Sequence, residues 1–455
     1  MQGGVKNSKN KIFKGEKEMS EEMKNLNDQQ PEEVKAPVEE KTEAPKLPFN
    51  LSKKNLAIIC GAVAAALVLV LVLVLTLGGG NDPHSHNFVD GKCECGESDP
   101  NYVAPHTHSY TDGKCACGAT DPNYVPPVTE QDYTLGMGVV FGELKNNETS
   151  ATIATVVLDK DGKIVDCKID VVQNKYSTGT SVVFSNLLTK MEQGDAYGMA
   201  AAVNYGMDWN NDGKVLEWYE QAATFAKYVV GKTATEVEAM TTQTLPSGYV
   251  ISDDDALLSA GCTIQIGEFK EAVVKACDDE QGVSFKALPD SFTLGVAANS
   301  EDDASSVENG VATVKMNVDI AAVVLADGKI VAAITDAIQP QVKVKNDEVT
   351  SVSVGKGEGI LKTKRELKEA YGMAAALNYG MDWNNDGKVL EWYLQSVEFS
   401  KFVVGMTAAE IEDMSTKTLE SGYVISADDA LLSAGCTIQI TGIKAVVAEA
   451  VNNAR

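Results

Sequence analysis

Histidine is scarce in this chain of 455 residues: there are four, and all of them lie between positions 84 and 108. A serine or cysteine nucleophile in a hydrolase normally depends on a histidine base. The long remainder of the sequence has no such base. This absence argues against hydrolytic catalysis, and we expect the protein not to be an enzyme.

Basic residues are also few relative to acidic ones. The chain has 39 Lys and Arg against 65 Asp and Glu, which gives a formal net charge of −26 and a pI near 4.6. Recognition of phosphate groups requires clustered Lys and Arg. The charge therefore excludes nucleic acid as an expected partner and indicates either solubility outside the cell or an affinity for cations.

Cysteine is too sparsely placed to form a disulfide scaffold. Of the nine cysteines, four lie in Cys-x-Cys pairs and Cys60 lies in a long apolar run. The other four stand singly among apolar neighbours, where a buried thiol is the ordinary outcome. They are Cys167, Cys262, Cys277 and Cys436.

One long apolar run, from Leu56 to Leu77, contains no charged residue. At about 1.5 Å per residue it covers a hydrocarbon core of roughly 30 Å. Lys53 and Lys54 precede it, and the residues just after it carry no positive charge, so we expect the N-terminus in the cytoplasm. A cleaved signal peptide is the alternative, but its apolar core is normally about 7 to 15 residues long. We predict a transmembrane helix in 55–78, a cell-membrane location and an extracellular C-terminal region.

The segment 1–54 is rich in Lys, Glu, Gln and Pro and has almost no aromatic residues. Such a composition cannot bury enough apolar surface to fold. We predict a disordered cytoplasmic tail. We also expect Met19 to be the true start, because residues 14–18 resemble a translated ribosome-binding site.

Two modules within 79–128 share the pattern His-x-His, Asp-Gly-Lys-Cys-x-Cys-Gly and Asp-Pro-Asn-Tyr-Val. The Asp-Gly pair favours a chain reversal that brings the histidines and cysteines together. Two histidines and two cysteines form a closed tetrahedral zinc site that stabilises a fold. A disulfide between Cys93 and Cys115, or within one Cys-x-Cys pair, is the alternative, but it gives the histidines no role. The predicted zinc ligands are His84, His86, Cys93 and Cys95, and His106, His108, Cys115 and Cys117.

The remaining chain is a duplication, because residues 189–276 recur at 363–450. We predict two homologous domains, 129–280 and 281–455, each with a β-meander followed by helices, hence an α+β fold. The alternation after Asp161-Gly162 predicts a half-buried strand. Thr233 and Glu236 predict a capping box, and Ser252 with Asp255 predicts a helix N-cap. Apolar residues from Ile266 to Ala276 predict a last amphipathic helix.

Each copy contains the sequence Asp-Trp-Asn-Asn-Asp-Gly. It matches the start of an EF-hand-like calcium loop, with oxygen ligands at alternate residues and glycine sixth. Tyr219 and Tyr393 stand where the bidentate glutamate belongs. A hairpin turned at Asn-Asp-Gly is the alternative without metal. The predicted calcium ligands are Asp208, Asn210 and Asp212, and Asp382, Asn384 and Asp386.

The segment Ala-Gly-Cys-Thr-Ile-Gln occurs at 260–265 and again at 434–439. It resembles the Ser-Gly-Ala-Thr-x-Thr segment of bacterial FMN-binding domains, which are extracytoplasmic, often tandem, and built from a β-meander followed by helices. In that family the last threonine carries the flavin phosphate covalently, whereas glutamine stands there in this chain. The resemblance implies a related fold and non-covalent FMN contacts. The residues concerned are Thr263, Gln265, Thr437 and Gln439.

The His/Cys modules and the larger repeat resemble parts of membrane-anchored, tandem-repeat surface proteins of Gram-positive anaerobes. We therefore expect an extracytoplasmic surface protein with tandem binding or structural domains and an unknown extracellular ligand. An FMN-binding electron-transfer protein is the alternative. The membrane helix and the zinc modules belong to both hypotheses.

Overall fold

We describe a computed structural model of the chain. It covers residues 85–102, 107–199, 208, 213, 215–246, 248–355, 357–373, 382, 387 and 389–454. Within these ranges no helix is long and apolar enough to cross a membrane. The predicted tail and the predicted membrane helix both lie outside them.

The secondary structure is mixed, which confirms the α+β prediction. The second module holds two short strands, β1 (Tyr110–Thr111) and β2 (Lys114–Cys115). The first copy has the strands β3 (Gln131–Phe141), β4 (Glu148–Asp159), β5 (Ile164–Thr178), β6 (Val182–Asn186), β7 (Thr242–Thr244) and β8 (Val250–Ser252). Its helices are α1 (Lys190–Gln193), α2 (Trp218–Val229), α3 (Ala234–Glu238), α4 (Asp255–Ser259) and α5 (Gly267–Cys277).

A connecting strand, β9 (Val283–Ala287), leads into the second copy. The strands of that copy are β10 (Phe292–Asp302), β11 (Ser306–Glu308), β12 (Val311–Ala326), β13 (Lys329–Ile338), β14 (Gln341–Lys345), β15 (Glu348–Ser353), β16 (Thr416–Thr418) and β17 (Val424–Ser426). Its helices are α6 (Lys364–Leu367), α7 (Trp392–Phe402), α8 (Ala408–Glu412), α9 (Asp429–Ser433) and α10 (Thr441–Asn453).

Strands β3 to β6 form an antiparallel meander in which each strand pairs with the next. Strand β9 adds to the other edge of β3. In the second copy, β12 pairs with β10 and β11 and also with β13 and β14, and β15 follows β14. Pro340 lies in the break between β13 and β14, where its missing N–H costs the sheet no hydrogen bond.

The two sheets pack against each other and share one hydrophobic core. Leu135 and Ile153 from the first sheet and Leu294 and Ile320 from the second are fully buried in it. On the outer faces, α2 and α5 cover the first sheet, and α7 and α10 cover the second. The layers therefore run helix, sheet, sheet, helix, and each copy needs the other to bury its inner face.

Strand β12 lies between the shared core and the helices of the second copy, and its residue types reflect burial on both faces. Ile320 and Val324 point into the shared core, whereas Ala321 and Val323 point towards the helices of the second copy. Because successive side chains of a strand face opposite ways, a strand buried on both faces carries mainly apolar residues on both of them. This explains why the second copy shows little apolar and polar alternation here.

The prediction of a half-buried strand is wrong at the centre of β5. Cys167 and Ile169 are buried against the helices, as expected, but Asp170 and Val172 on the opposite face are buried too. The reason is that this face packs towards the second sheet. The Asp170 carboxylate accepts hydrogen bonds from the N–H groups of Val171 at 2.7 Å and Met191 at 3.1 Å, so it caps α1 from inside the protein.

Two of the predicted helix signals are confirmed and one is displaced. Thr233 and Glu236 form the capping box of α3, and the last helix of the first copy forms as α5. The N-cap of α4 is Asp254, which accepts from Ala256 and Leu257, and Asp428 does the same for α9. The predicted cap at Ser252 is therefore wrong, because the Ser252 hydroxyl accepts the N–H of Asp254 instead.

Glycine lets the last helix of each copy lie directly on a strand. A Cβ added to Gly136 of β3 would lie 2.1 Å from the Ala276 carbonyl oxygen, and one added to Gly295 of β10 would lie 2.0 Å from that of Ala450. Neither position can hold a larger residue without a shift of backbone. The two glycines therefore position α5 and α10 on their sheets.

Candidate metal centres and the other predicted sites

Each His/Cys module is built around a tight turn at Asp-Gly. Asp90 and Gly91 have φ of 51° and 75°, and Asp112 and Gly113 have φ of 48° and 72°. Two successive positive φ values are those of a type I′ turn, which reverses the chain in two residues. In the first module, the N–H and C=O groups of Val89 and Lys92 are hydrogen-bonded to each other across this turn. The predicted chain reversal is confirmed.

A second turn arranges the two cysteines of each module. The Cys93 N–H donates to the carbonyl of Glu97 at 2.9 Å, and the Gly96 N–H donates to the carbonyl of Cys93 at 2.8 Å. The second module repeats both bonds, from Cys115 and Gly118, at 2.8 Å each. The backbone of the two modules is therefore the same around the candidate ligands.

The turns bring one histidine and two cysteines of each module together. Their ligand atoms lie within 4.8 Å of one another in both sets, and Cys95 Sγ lies 3.3 Å from His86 Nδ1. With Zn–S of about 2.3 Å and Zn–N of about 2.0 Å, ligands of a tetrahedral site lie roughly 3.5 to 3.8 Å apart. Both groups could therefore hold a metal ion. They are His86, Cys93 and Cys95, and His108, Cys115 and Cys117.

The fourth predicted ligand of each module, His84 and His106, lies outside the described residues. No disulfide joins any of the eight cysteines within the described part of the chain. In each module both free thiols lie within 4.8 Å of a histidine nitrogen, which the disulfide alternative does not explain. This arrangement favours the metal over the disulfide alternative.

The threonine of the flavin-like segment forms buried hydrogen bonds with a glutamine in both copies. The N–H of Thr263 donates to Gln221 Oε1 at 2.7 Å, and its hydroxyl lies 3.3 Å from the same atom. Thr437 has the same two bonds with Gln395, at 2.6 and 3.3 Å. These bonds are buried and join the segment to α2 or α7. Gln265 and Gln439 are exposed, whereas Thr263 and Thr437 are buried, and the flavin contacts of these four residues stay a prediction.

Among the first seven positions of each predicted calcium loop, the structure describes only the first and the sixth. Asp208 Oδ2 accepts the N–H of Gly213 at 2.9 Å, and Asp382 Oδ2 accepts that of Gly387 at 2.9 Å. Asn210, Asp212, Asn384 and Asp386 lie outside the described residues. Tyr219, at the twelfth position, donates its hydroxyl to Asp195 at 3.2 Å. The chain continues from Val215 into α2 without a strand, which does not match the hairpin alternative.

The isolated cysteines are buried or half-buried thiols, as predicted. Cys167, Cys262 and Cys436 are buried and Cys277 is half-buried. Burial raises the pKa of the Cys262, Cys277 and Cys436 thiols to about 12. A thiol with so high a pKa forms little of the nucleophilic thiolate. All four cysteines lie in or against the hydrophobic cores of the two copies.

Sequence reasoning missed a lysine held between two aromatic rings in each copy. The Lys190 ammonium lies 5.1 Å from the ring centroid of Tyr197 and 5.3 Å from that of Trp218. Burial lowers the pKa of Lys190 to about 8. Its recurrence in both copies is the signal that could have revealed it. The second set consists of Lys364 with Tyr371 at 5.5 Å and Trp392 at 5.2 Å.

A charged cavity of about 270 Å³ between the two copies was also missed. It holds two ion pairs that join the copies, Arg365 with Asp279 at 3.3 Å and Lys275 with Glu366 at 2.5 Å. The first copy has Met191 where the second has Arg365, so comparing the copies could have indicated the site. We interpret these two ion pairs as contacts that hold the two copies together.

A scan against protein-family models and searches of curated proteins and of solved structures found no match for this chain. The residues above are therefore assigned roles from their geometry alone. The His/Cys groups are the strongest candidates for a bound ligand, because each brings together three donor atoms of the types that zinc prefers.

Proposed function

We propose that the protein is a membrane-anchored, extracytoplasmic surface protein whose two zinc-stabilised modules separate the anchor from a tandem binding or structural domain. The observation that carries the proposal is the repeated group of one histidine and two cysteines directly after the long apolar run. Short chains that lack a large core gain their folding free energy from a structural metal.

The modules fit a structural role for zinc. Apart from their turns they have little secondary structure, and few of their side chains are buried. A site filled by two histidines and two cysteines leaves no open coordination position for a substrate. Zinc in these modules would hold a short extended segment in one conformation, as a spacer between the anchor and the repeats requires.

The tandem repeats fit a binding or scaffolding role better than catalysis. Their buried polar side chains serve other parts of the fold: Gln221 holds Thr263, Asp170 caps α1, and Glu217 accepts the N–H of Met199 at 2.8 Å. Neither repeat contains a histidine. FMN remains the alternative, and absorbance near about 450 nm in the purified protein would favour it.

The zinc part of the proposal is tested by metal analysis of the full chain. We expect one zinc for each of the two clusters. Cys93→Ser should remove one equivalent and Cys115→Ser the other, while Cys277→Ser, outside the modules, should remove none. A wild-type chain that holds no zinc, or that holds it after both module cysteines are changed, would contradict this assignment.

The surface location is tested separately with intact cells. Protease added outside should digest the repeats and leave the N-terminal tail, detected by an epitope tag, at its original length in the membrane fraction. Repeats that stay intact until the cells are lysed would overturn the proposed topology.

Calcium binding stays a prediction with its own test. The hydrogen bond from Gly213 to Asp208 brings the first and sixth positions of the loop together, as an EF-hand-like loop requires. Calorimetry of the full chain with millimolar calcium should show a higher melting temperature, and Asp208→Ala with Asp382→Ala should abolish the increase. An equal increase in the double variant would rule out these loops.

A further inference from the structure

The imidazole ring of His86 has a different neighbour at each of its nitrogens. Nδ1 lies 3.3 Å from Cys95 Sγ, whereas Nε2 lies 3.5 Å from a carboxylate oxygen of Glu97. Phe88 stacks on the ring, with centroids 5.6 Å apart and planes inclined by 15°. The orientation of the ring is thus defined from three directions, and only Nδ1 faces the cysteines.

We propose that zinc binds His86 through Nδ1 and that Glu97 is a positioning residue, which holds the proton on Nε2 and so keeps the ring turned towards the metal. The inference rests on the zinc-binding function proposed above. A metal-bound histidine commonly donates its other ring N–H to a carboxylate, which fixes the tautomer and makes the ligand more basic. Loss of such a partner typically lowers metal affinity by about 10- to 100-fold.

The backbone places Glu97 for this contact. The Glu97 carbonyl accepts the N–H of Cys93 at 2.9 Å, so the side chain of residue 97 starts from a point fixed relative to the first cysteine. In the second module Ala119 occupies this place and accepts the N–H of Cys115 at 2.8 Å. A methyl group cannot supply a carboxylate. The chain therefore contains this backbone turn twice, once with a glutamate at the position and once with an alanine.

Glu94 provides a matched control within the same module. It lies between Cys93 and Cys95, it is exposed, and it carries the same charge as Glu97. General attraction between a carboxylate and the metal would act from either position. An effect of Glu97 on the His86 ring, in contrast, would be specific to Glu97.

The experiment measures zinc affinity by chelator competition in the full chain. Cys115→Ser is present in every sample, so that the first module alone is observed. We expect Glu97→Ala to lower the zinc affinity by about tenfold or more. Glu97→Gln, whose amide oxygen can still accept the Nε2 proton, should recover part of the loss. Glu94→Ala should change the affinity much less than Glu97→Ala.

Cobalt(II) in place of zinc tests whether the ligands themselves are retained. We expect the Glu97→Ala variant to give the same visible absorption bands as the parent chain, reached at a higher cobalt concentration. An unchanged affinity in Glu97→Ala, an equal loss in Glu94→Ala, or altered bands would overturn the role of Glu97. Failure of the parent chain to bind zinc would instead overturn the zinc-binding function on which the role depends.

Discussion

Replacing Asp279 with asparagine should destabilise the whole tandem domain. The Arg365 guanidinium places both of its terminal nitrogens 3.3 Å from Asp279 Oδ2. The two side chains are only 6% and 10% exposed. Asparagine keeps the size and can still accept the Met137 N–H, now 3.2 Å from the carboxylate. The other carboxylate oxygen, Oδ1, accepts the Gln281 N–H at 2.9 Å, so the change removes one charge and this one hydrogen bond.

The expected loss follows from the burial of the remaining charge. Removing one partner of a buried ion pair typically costs about 3 to 5 kcal/mol, because the other charge is left without compensation. Arg365 still donates to the Gln281 carbonyl at 3.0 Å. That bond compensates part of the charge, so we expect a loss of about 3 kcal/mol in the free energy of unfolding.

The chain supplies its own control for this experiment. At the equivalent place on the other side of the domain, the first copy has Met191 and the second has Asn453. The double variant Asp279→Asn with Arg365→Met copies that pair. It removes both charges of the pair, but the buried Asp336, whose pKa the Arg365 charge lowers, loses that partner, so we expect the double variant to recover only part of the lost stability.

Urea unfolding of the full chain, followed by tryptophan fluorescence, measures both variants. The reasoning is refuted if Asp279→Asn loses less than about 1 kcal/mol, or if the double variant is as unstable as the single one. The first outcome would mean that water reaches the arginine. The second would mean that the destabilisation comes from packing or from the lost Gln281 hydrogen bond and not from the charge of Arg365.

Three further predictions concern the contacts of the tandem domain. Gly136→Ala should lower stability by about 1 to 3 kcal/mol, measured by urea unfolding, since its Cβ would lie 2.1 Å from the Ala276 carbonyl oxygen. Gly179→Ala is the control, because no atom lies within 4 Å of the new Cβ and the backbone there does not have a positive φ. Burial and the nearby Glu192 raise the pKa of Glu449, so the folded state binds this proton more tightly than the unfolded state and loses stability as the pH rises through the raised value. Glu449→Gln should remove that loss, and identical stability-against-pH curves for variant and wild type would contradict it. Finally, the shared core predicts that calorimetry finds one unfolding transition for the two copies, and two separate transitions would show that they fold independently.

The sequence predicted the local elements well where short-range chemistry decides them. The capping box at Thr233 forms because threonine and Glu236 satisfy N–H groups one turn apart. The Asp-Gly turns of the modules form because both residues tolerate positive φ. In both cases every partner lies within a few residues, so no other part of the chain needs to be known.

Prediction failed where a distant part of the chain decides the environment. Asp170 looks solvent-facing in an alternating pattern, yet it is buried, because the second sheet covers its face of β5. The local sequence does not indicate that Gln221, far from Thr263 along the chain, accepts two hydrogen bonds from it; the flavin contact of Thr263 stays a prediction. The repeat pattern does not say which faces of the two copies meet.

The sequence by itself determined the order of strands and helices, the two sets of zinc-type ligands and the existence of two homologous copies, because these depend on spacing and periodicity along the chain. Only the tertiary structure decided that the copies share one core, that Arg365 meets Asp279, and that His86 turns its second nitrogen to Glu97. Apolar faces attract without direction. Which two faces pack together, and which charges they bring into contact, is settled by the fit of the assembled layers.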